Sequence, residues 1–207
     1  MIETKDKILD SAERLFSEAG YAATSLRHII AGAQVNLAAI HYHFGSKEGL
    51  LDQLILRRVD PVNRQRIAML DRFEAEAGGA PVELEKVLEA FLAPATEMAK
   101  HHPEMSRLMG RLHAEGQVTA VFQRHFETTK RRFIEALRRA LPHLDEREFL
   151  WRLHFVIGSM AHTLCSPPFA AESARDSWQV RTALLVAFLS AGLRAPAAAM
   201  KEVEVAK

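Results

Sequence analysis

The sequence is poor in cysteine, with Cys165 alone among 207 residues. A single thiol excludes a disulfide framework. Stretches in which β-branched and aromatic residues alternate with period two are missing, which argues against a sheet. Long hydrophobic runs are missing as well. The longest nearly unbroken one, Ala183 to Leu193, falls far short of the roughly 20 residues that cross a bilayer. No membrane partner is expected. Glu3, Lys5, Asp6 and Lys7 open the chain with no apolar segment behind them, so no signal peptide is expected and the cytoplasm is the expected compartment. Charge of one sign is not in excess either: the formal net charge is +1. Within residues 1–50, Lys5, Lys7, Arg14, Arg27 and Lys47 stand against Glu3, Asp6, Asp10, Glu13, Glu18 and Glu48. Bulk electrostatics therefore point neither toward nor away from nucleic acid, and placement has to decide.

Catalytic signatures are lacking too. The ten histidines form neither a His-Glu-x-x-His pattern nor a Cys/His cluster, and there is no G-x-S-x-G elbow or glycine-rich phosphate loop. No metal, no cofactor and no enzymatic activity are expected. A helical metal-dependent or cofactor-binding enzyme is the rival reading, which stoichiometric zinc or iron in the purified protein would revive.

What is present is helical periodicity. Ile8, Leu9, Ala12, Leu15, Phe16 and Ala19 form one stripe that stops at Gly20. Thr24 or Ser25 offers an N-cap to a short second helix that turns Leu26, Ile29 and Ile30 inward and stops near Gly32. Asn36 caps a third helix of about two turns. Gly45 breaks it, Ser46 caps the next, and Leu50, Leu51, Leu54 and Ile55 begin a longer stripe. Pro61 is expected to end or kink that fourth helix. Gly78-Gly79-Ala80-Pro81, His102-Pro103, Gly116, Pro142 and Pro167-Pro168 punctuate about five more, of which 146–163 and 177–193 are the clearest, and Pro94 is expected to kink the helix that contains it. The expected fold is all-α with about nine helices. Residues 1–47 form an N-terminal three-helix helix-turn-helix domain. Residues 48–207 form a larger C-terminal helical domain, with 195–207 as a frayed tail.

The stretch Val35 to Lys47 reads VNLAAIHYHFGSK. Val35, Ile40 and Phe44 share the face that a core would take, which leaves Leu37, Ala38, His41 and Tyr42 outward. In a helix-turn-helix unit the second helix lies in the DNA major groove. His and Tyr donate to phosphates or base edges, and Leu37 and Ala38 suit thymine methyl groups. Lys47, beside the free N–H groups of the next helix start, suits a phosphate. Ser25, Gln34, Asn36 and His43 complete the expected DNA-facing set.

Residues 8–51 resemble the DNA-binding domain of the TetR family of bacterial transcription regulators. The matching run is Ile8…Ala12…Leu15-Phe16…Gly20-Tyr21, Thr24-Ser25-Leu26…Ile29, Val35-Asn36 and Ile40-His41-Tyr42-His43-Phe44-Gly45-Ser46-Lys47…Leu50-Leu51. One departure stands out: the family usually has Ala-Gly-Val where this chain has Ala33-Gln34-Val35. Either Gln34 takes a left-handed conformation at a steric cost, or Gly32 takes up the bend.

The resemblance implies a homodimer, double-stranded operator DNA as partner, and residues 48–207 as a ligand-binding and dimerisation domain that takes a small effector. It further implies that the last two long helices build the dimer's four-helix bundle, with Leu184, Leu185, Phe188 and Leu189 as an apolar face and Gly158 and Ala161 admitting a close neighbour. Met98, Met105, Met109, Phe122, Phe126, Trp151, His154 and Phe155 are the candidate ligand-binding residues. The Trp151-Arg152-Leu153-His154-Phe155…Gly158 run also resembles the branch that senses fatty acids or acyl-CoA. That resemblance implies a lipophilic, acidic effector with Arg152 or His154 as polar partner. The expected function is repression relieved by the effector, with helix 4 as the lever. The basic stretch from Arg124 to Arg139 is read as a solvated helix face, since Phe126, Phe133, Ile134 and Leu137 interleave at helical spacing.

Overall fold

The computed structural model describes residues 3–114, 120–166 and 175–197, without the side chains of 113, 114 and 120–123. The expected boundaries at Gly116 and Pro167-Pro168, and the tail from residue 198 on, lie outside the described residues. Among the described residues there are nine helices and no strand. They are α1 (Thr4–Ala19), α2 (Leu26–Ala33), α3 (Leu37–Phe44), α4 (Lys47–Ala77), α5 (Leu84–His101), α6 (Pro103–Ala114), α7 (Ala120–Ala140), α8 (Glu146–Cys165) and α9 (Trp178–Arg194).

Local chemistry explains the starts and stops. Ser25, Asn36, Ser46, Asp145 and Ser177 each accept a backbone N–H from the first turn of the helix they precede. Thr24, the rival cap for α2, is buried and donates instead to the carbonyl of Gly20 at 2.8 Å. Pro103 opens α6 at the position where a missing N–H is harmless.

One expectation needs correction. Pro61 does not end α4, which runs 31 residues to Ala77, about 46 Å of helix. Pro94 sits inside α5, within a helix as expected. An internal proline costs roughly 3 kcal/mol, and packing outweighs it here. Leu50, Leu51, Leu54, Ile55, Val59, Val62, Asn63, Arg66, Leu70 and Phe73 form a continuous buried stripe on α4. A helix so anchored on both sides of residue 61 cannot stop there.

Two hydrophobic clusters result. The first joins α1, α2 and α3 to the start of α4 and to Met105, Leu108 and Leu112 of α6. The second gathers Leu70 and Phe73 of α4 with α5, α7, α8 and α9. Helix α4 belongs to both. Polar ties reinforce the first junction: Glu13 of α1, buried, pairs with Arg57 and Arg58 of α4, and Arg111 of α6 donates to the Glu18 carbonyl at 3.1 Å. The Arg-rich face of α7 is turned to similar use, Arg132 bridging to Asp71 and Glu74 of α4 and Arg139 donating to the Gly79 carbonyl.

Candidate nucleic-acid interface and ligand cavity

Helix α3 is held from one side only. Ile40 and Phe44 are buried in the first cluster, whereas Leu37, Ala38 and His41 are exposed and Tyr42 is 85% exposed. Two helices approach closely to set it up. Ser11 of α1 donates to the Ile29 carbonyl at 3.1 Å, and a Cβ on Gly32 would lie 2.5 Å from Ser11 Oγ. Gly32 is therefore needed for α1–α2 contact and stays helical. The bend falls on Gln34, the positive-φ non-glycine residue of the chain's described part, at φ 56° and ψ 46°. Its exposed side chain emerges from the turn between the two helices.

The remaining members of the expected DNA-facing set are placed as follows. Ser25 and Asn36 are exposed caps. The His41 ring lies 3.1 Å from the Gly45 carbonyl through Nδ1. A carbonyl only accepts, so Nδ1 is the donor in this contact. His43 is half-buried and stacks edge-on with Tyr42 at 5.0 Å. Lys47 is not extended: its Nζ sits 4.4 Å from the Tyr21 ring centroid and donates to the Ala22 carbonyl at 3.3 Å. Burial lowers its pKa. Arg27 and His28, both exposed on the first turn of α2, share this surface and were not among the expected contacts. Their position directly after the Ser25 cap was the available signal.

The second candidate site is a cavity of about 300 Å³ lined by α4, α5, α6, α7 and α8. Met98, Met109 and Phe126 line it, as do Phe91, Phe133 and Met160. Met105, Trp151, His154 and Phe155 lie elsewhere. Met105 is fully buried in the first cluster, and the side chain of Phe122 lies outside the described residues. Trp151, His154 and Phe155 stand on the outer face of α8, where they border a shallow groove with Gly158 and Phe188. Ala161, expected at a dimer interface, instead faces the cavity. The physical reason is that α8 is apolar around most of its girth. Phe149 and Val156 point inward while Leu150, Trp151 and Phe155 are exposed.

Arg152 is not a free ligand partner either. It pairs with Glu148 and donates to the carbonyls of Leu193 and Ala195 at 2.7 Å each, closing the C-terminal end of α9. On α9, Leu185 and Leu189 pack inward, and Leu184 and Phe188 are exposed, Phe188 by 70%.

Polar groups on the cavity wall escaped the sequence reading: Arg66 and Ser106, each 2% exposed, and Lys130 at the exposed rim. Arg66 did leave a trace, since it continues the apolar α4 stripe of Val59, Val62, Leu70 and Phe73 at helical spacing. Among the described residues no group of three His, Cys, Asp or Glu side chains is arranged to hold a metal ion, and no helix is long and apolar enough to cross a membrane.

A capped two-helix unit that presents one open helix, carried on a larger helical body, defines a helix-turn-helix protein of the two-domain type. The comparisons give the family. Residues 89–192 match the model described as tetracyclin repressor-like, C-terminal domain, and residues 8–54 match that of bacterial regulatory proteins, tetR family. The chain belongs to the TetR family.

Among curated relatives, it is 46% identical over 54 residues to the HTH-type transcriptional regulator YttP of Bacillus subtilis, covering 26% of each chain. It is 41% identical over 59 residues to IcaR of Staphylococcus aureus, the negative transcriptional regulator of the biofilm operon icaADBC, covering 28% of this chain and 32% of IcaR. The matched stretch thus spans only a quarter to a third of those relatives. Solved structures share the whole fold. A TetR-family transcription regulator from Shewanella sp. PV-4 matches with a TM-score of 0.67 at 19% identity, over 93% of this chain and 96% of that one. The fatty acid degradation regulator FadR of Bacillus halodurans matches with a TM-score of 0.63 at 15% identity, over 94% and 98%.

Proposed function

We propose that this chain is a cytoplasmic, homodimeric repressor that binds operator DNA through α3 and releases it when a small lipophilic effector occupies the interior cavity. The observation that carries the reading is α3 itself. A helix anchored by Ile40 and Phe44 that leaves Leu37, Ala38, His41 and Tyr42 uncovered has side chains to spend on a groove. Ser25, Gln34, Asn36 and His43 flank them, and Arg27 and His28 extend the same surface. Lys47, engaged with Tyr21 and Ala22, has to leave those contacts before it meets a phosphate. Family membership supports regulation rather than catalysis, and no chemical step is assigned.

The exposed Trp151, Phe155, Leu184 and Phe188 are the apolar surface for a second copy, with Gly158 beside them offering open space for its approach. Two copies related by a twofold axis present two recognition helices about one DNA turn apart, roughly 34–36 Å. We place the DNA-binding domain at residues 1–47 and the ligand and dimer domain from 48 onward.

Coupling runs through two helices. α4 continues from the first cluster into the cavity wall. α6 turns Met105, Leu108 and Leu112 toward α1 and turns Ser106, Met109 and Gly110 toward the cavity. An effector that shifts α6 therefore moves a helix packed on the DNA-binding domain. Coupling of this kind is typically 1–3 kcal/mol and is reciprocal, so operator DNA weakens effector binding by the same factor. Selection of bound fragments from a genomic library tests the reading. Recovery of a common, near-palindromic site supports it, and recovery of no enriched sequence defeats it.

A further inference from the structure

Arg66 occupies an unusual position for a guanidinium. It is buried at the wall of an apolar cavity, and all its partners are neutral. Nε donates to the Phe91 carbonyl at 2.7 Å, Nη1 to Asn63 Oδ1 at 3.3 Å, and Nη2 approaches Met160 Sδ at 3.6 Å. The Phe91 ring lies 4.3 Å away. Among the described residues no carboxylate pairs with it. Two other buried or partly buried sites hold matched charges: Glu13 meets Arg57 and Arg58, and Arg152 meets Glu148.

Burial drops the pKa of Arg66 to about 10, with no acidic neighbour opposing the shift, so it remains a cation at neutral pH. Charges buried without a counter-ion are rare because nothing replaces their lost hydration. A guanidinium carries five N–H donors. The three contacts above leave one on each terminal nitrogen, the fork that suits a carboxylate. A second group on the wall is also unmatched: Ser106 Oγ is buried and has no hydrogen-bond partner.

We propose that the cavity takes an amphipathic monocarboxylate, whose carboxylate pairs with Arg66 and whose apolar body lies among Phe91, Met98, Met109, Phe126 and Met160. This rests on the cavity being the effector site and adds the charge of the effector and its anchor. A neutral lipophile fills the same space but leaves the cation unpaired, and a cationic one is repelled. Arg66 lies on α4, the helix that continues to the DNA-binding domain, so a partner there acts on an element shared by both clusters.

The test is calorimetric titration of the full-length protein at neutral pH with sodium decanoate and with 1-decanol, which keeps the chain and removes the charge. The expected result is decanoate binding at least tenfold tighter than decanol. Arg66→Met should bring decanoate down to the affinity of decanol and leave decanol unchanged, whereas Arg66→Lys should keep most of the preference. Decanol binding as tightly as decanoate to the wild type, or decanoate affinity surviving Arg66→Met, overturns the anion anchor while leaving the cavity as a lipophile site. Binding of neither compound overturns the anchor and the effector cavity together. Circular dichroism reports whether Arg66→Met folds; if it does not, the decanoate–decanol ratio on the wild type and on Arg66→Lys decides.

Discussion

Glu13 on α1 and Arg58 on α4 meet through paired hydrogen bonds, Arg58 Nε and Nη2 donating to Glu13 Oε2 at 3.0 and 2.9 Å. The pair ties the DNA-binding helices to the long helix that reaches the cavity, and Arg57 adds a third charge to it at 2.8 Å. Glu13 is 5% exposed as a residue. Its removal leaves Arg58 without an anion and Arg57 with only the exposed Asp10 and Asp6. Glu13→Gln should therefore destabilise the protein by about 2–3 kcal/mol, less than a fully buried pair because both arginines keep some solvent. Denaturant unfolding measures this, and a loss below about 0.5 kcal/mol would show the junction is held by apolar packing alone.

The same junction carries a pH dependence. Arg58 Nη1 lies 3.2 Å from His102 Nε2. Arginine only donates, so that nitrogen accepts and must be unprotonated. Burial first, and then the charge of Arg58, lowers the pKa of His102. The unfolded chain consequently takes up the proton more readily than the folded one. The contribution of His102 is complete above its unfolded value near 6.5 and is lost as pH falls from there through the lower folded value. Melting temperature should drop on acidification below about pH 6.5. His102→Gln, which keeps an acceptor that does not titrate, should flatten that part of the curve. Parallel curves for the two proteins would contradict this.

Gln34 holds a left-handed backbone at φ 56° in the turn before the recognition helix. For a residue with a Cβ this conformation costs roughly 1–2 kcal/mol, part of which glycine returns through greater freedom in the unfolded chain. Gln34→Gly should raise stability by about 0.5–1 kcal/mol. Its effect on operator affinity separates two roles: unchanged affinity makes Gln34 a turn residue only, and a loss makes its exposed side chain a DNA contact.

Phe188 packs against nothing that hides it in the single chain, yet it is apolar and stands beside exposed Leu184, Trp151 and Phe155. Phe188→Asp should leave helical content unchanged and convert a dimer to a monomer in sedimentation velocity. Operator affinity should fall at least tenfold, since one recognition helix is lost per binding event. A dimer that survives the substitution would place the interface elsewhere.

Local order was readable from short-range chemistry. The caps at Ser25, Asn36 and Ser46 and the αL or break residues near 34 and 45 depend on a few adjacent residues, so three short helices and the start of α4 could be placed in advance. Orientation was not readable where a helix is apolar on more than one side. The periodicity of α8 offers Trp151 and Phe155 to a cavity as readily as to an outer face, and only the packing of α8 against α6 and α9 decides between them. Pro61 does not end its helix for a related reason: its local penalty is outweighed by the buried stripe that spans it. Arg66 sits in the run Arg64-Gln65-Arg66, which reads as solvated surface until α5 and α8 close over it.

The most direct test of the account is fluorescence-anisotropy titration with DNA from upstream of the protein's own gene, against a scrambled duplex of equal length, at two salt concentrations. Tyr42 is 85% exposed, so Tyr42→Ala should change stability by less than about 0.5 kcal/mol. The account predicts selective binding that weakens as salt rises, with Tyr42→Ala reducing operator affinity by about 1–3 kcal/mol. Wild-type binding that is equally weak to both duplexes and to sites selected from the genome, or full affinity in Tyr42→Ala, would contradict α3 as the reading element.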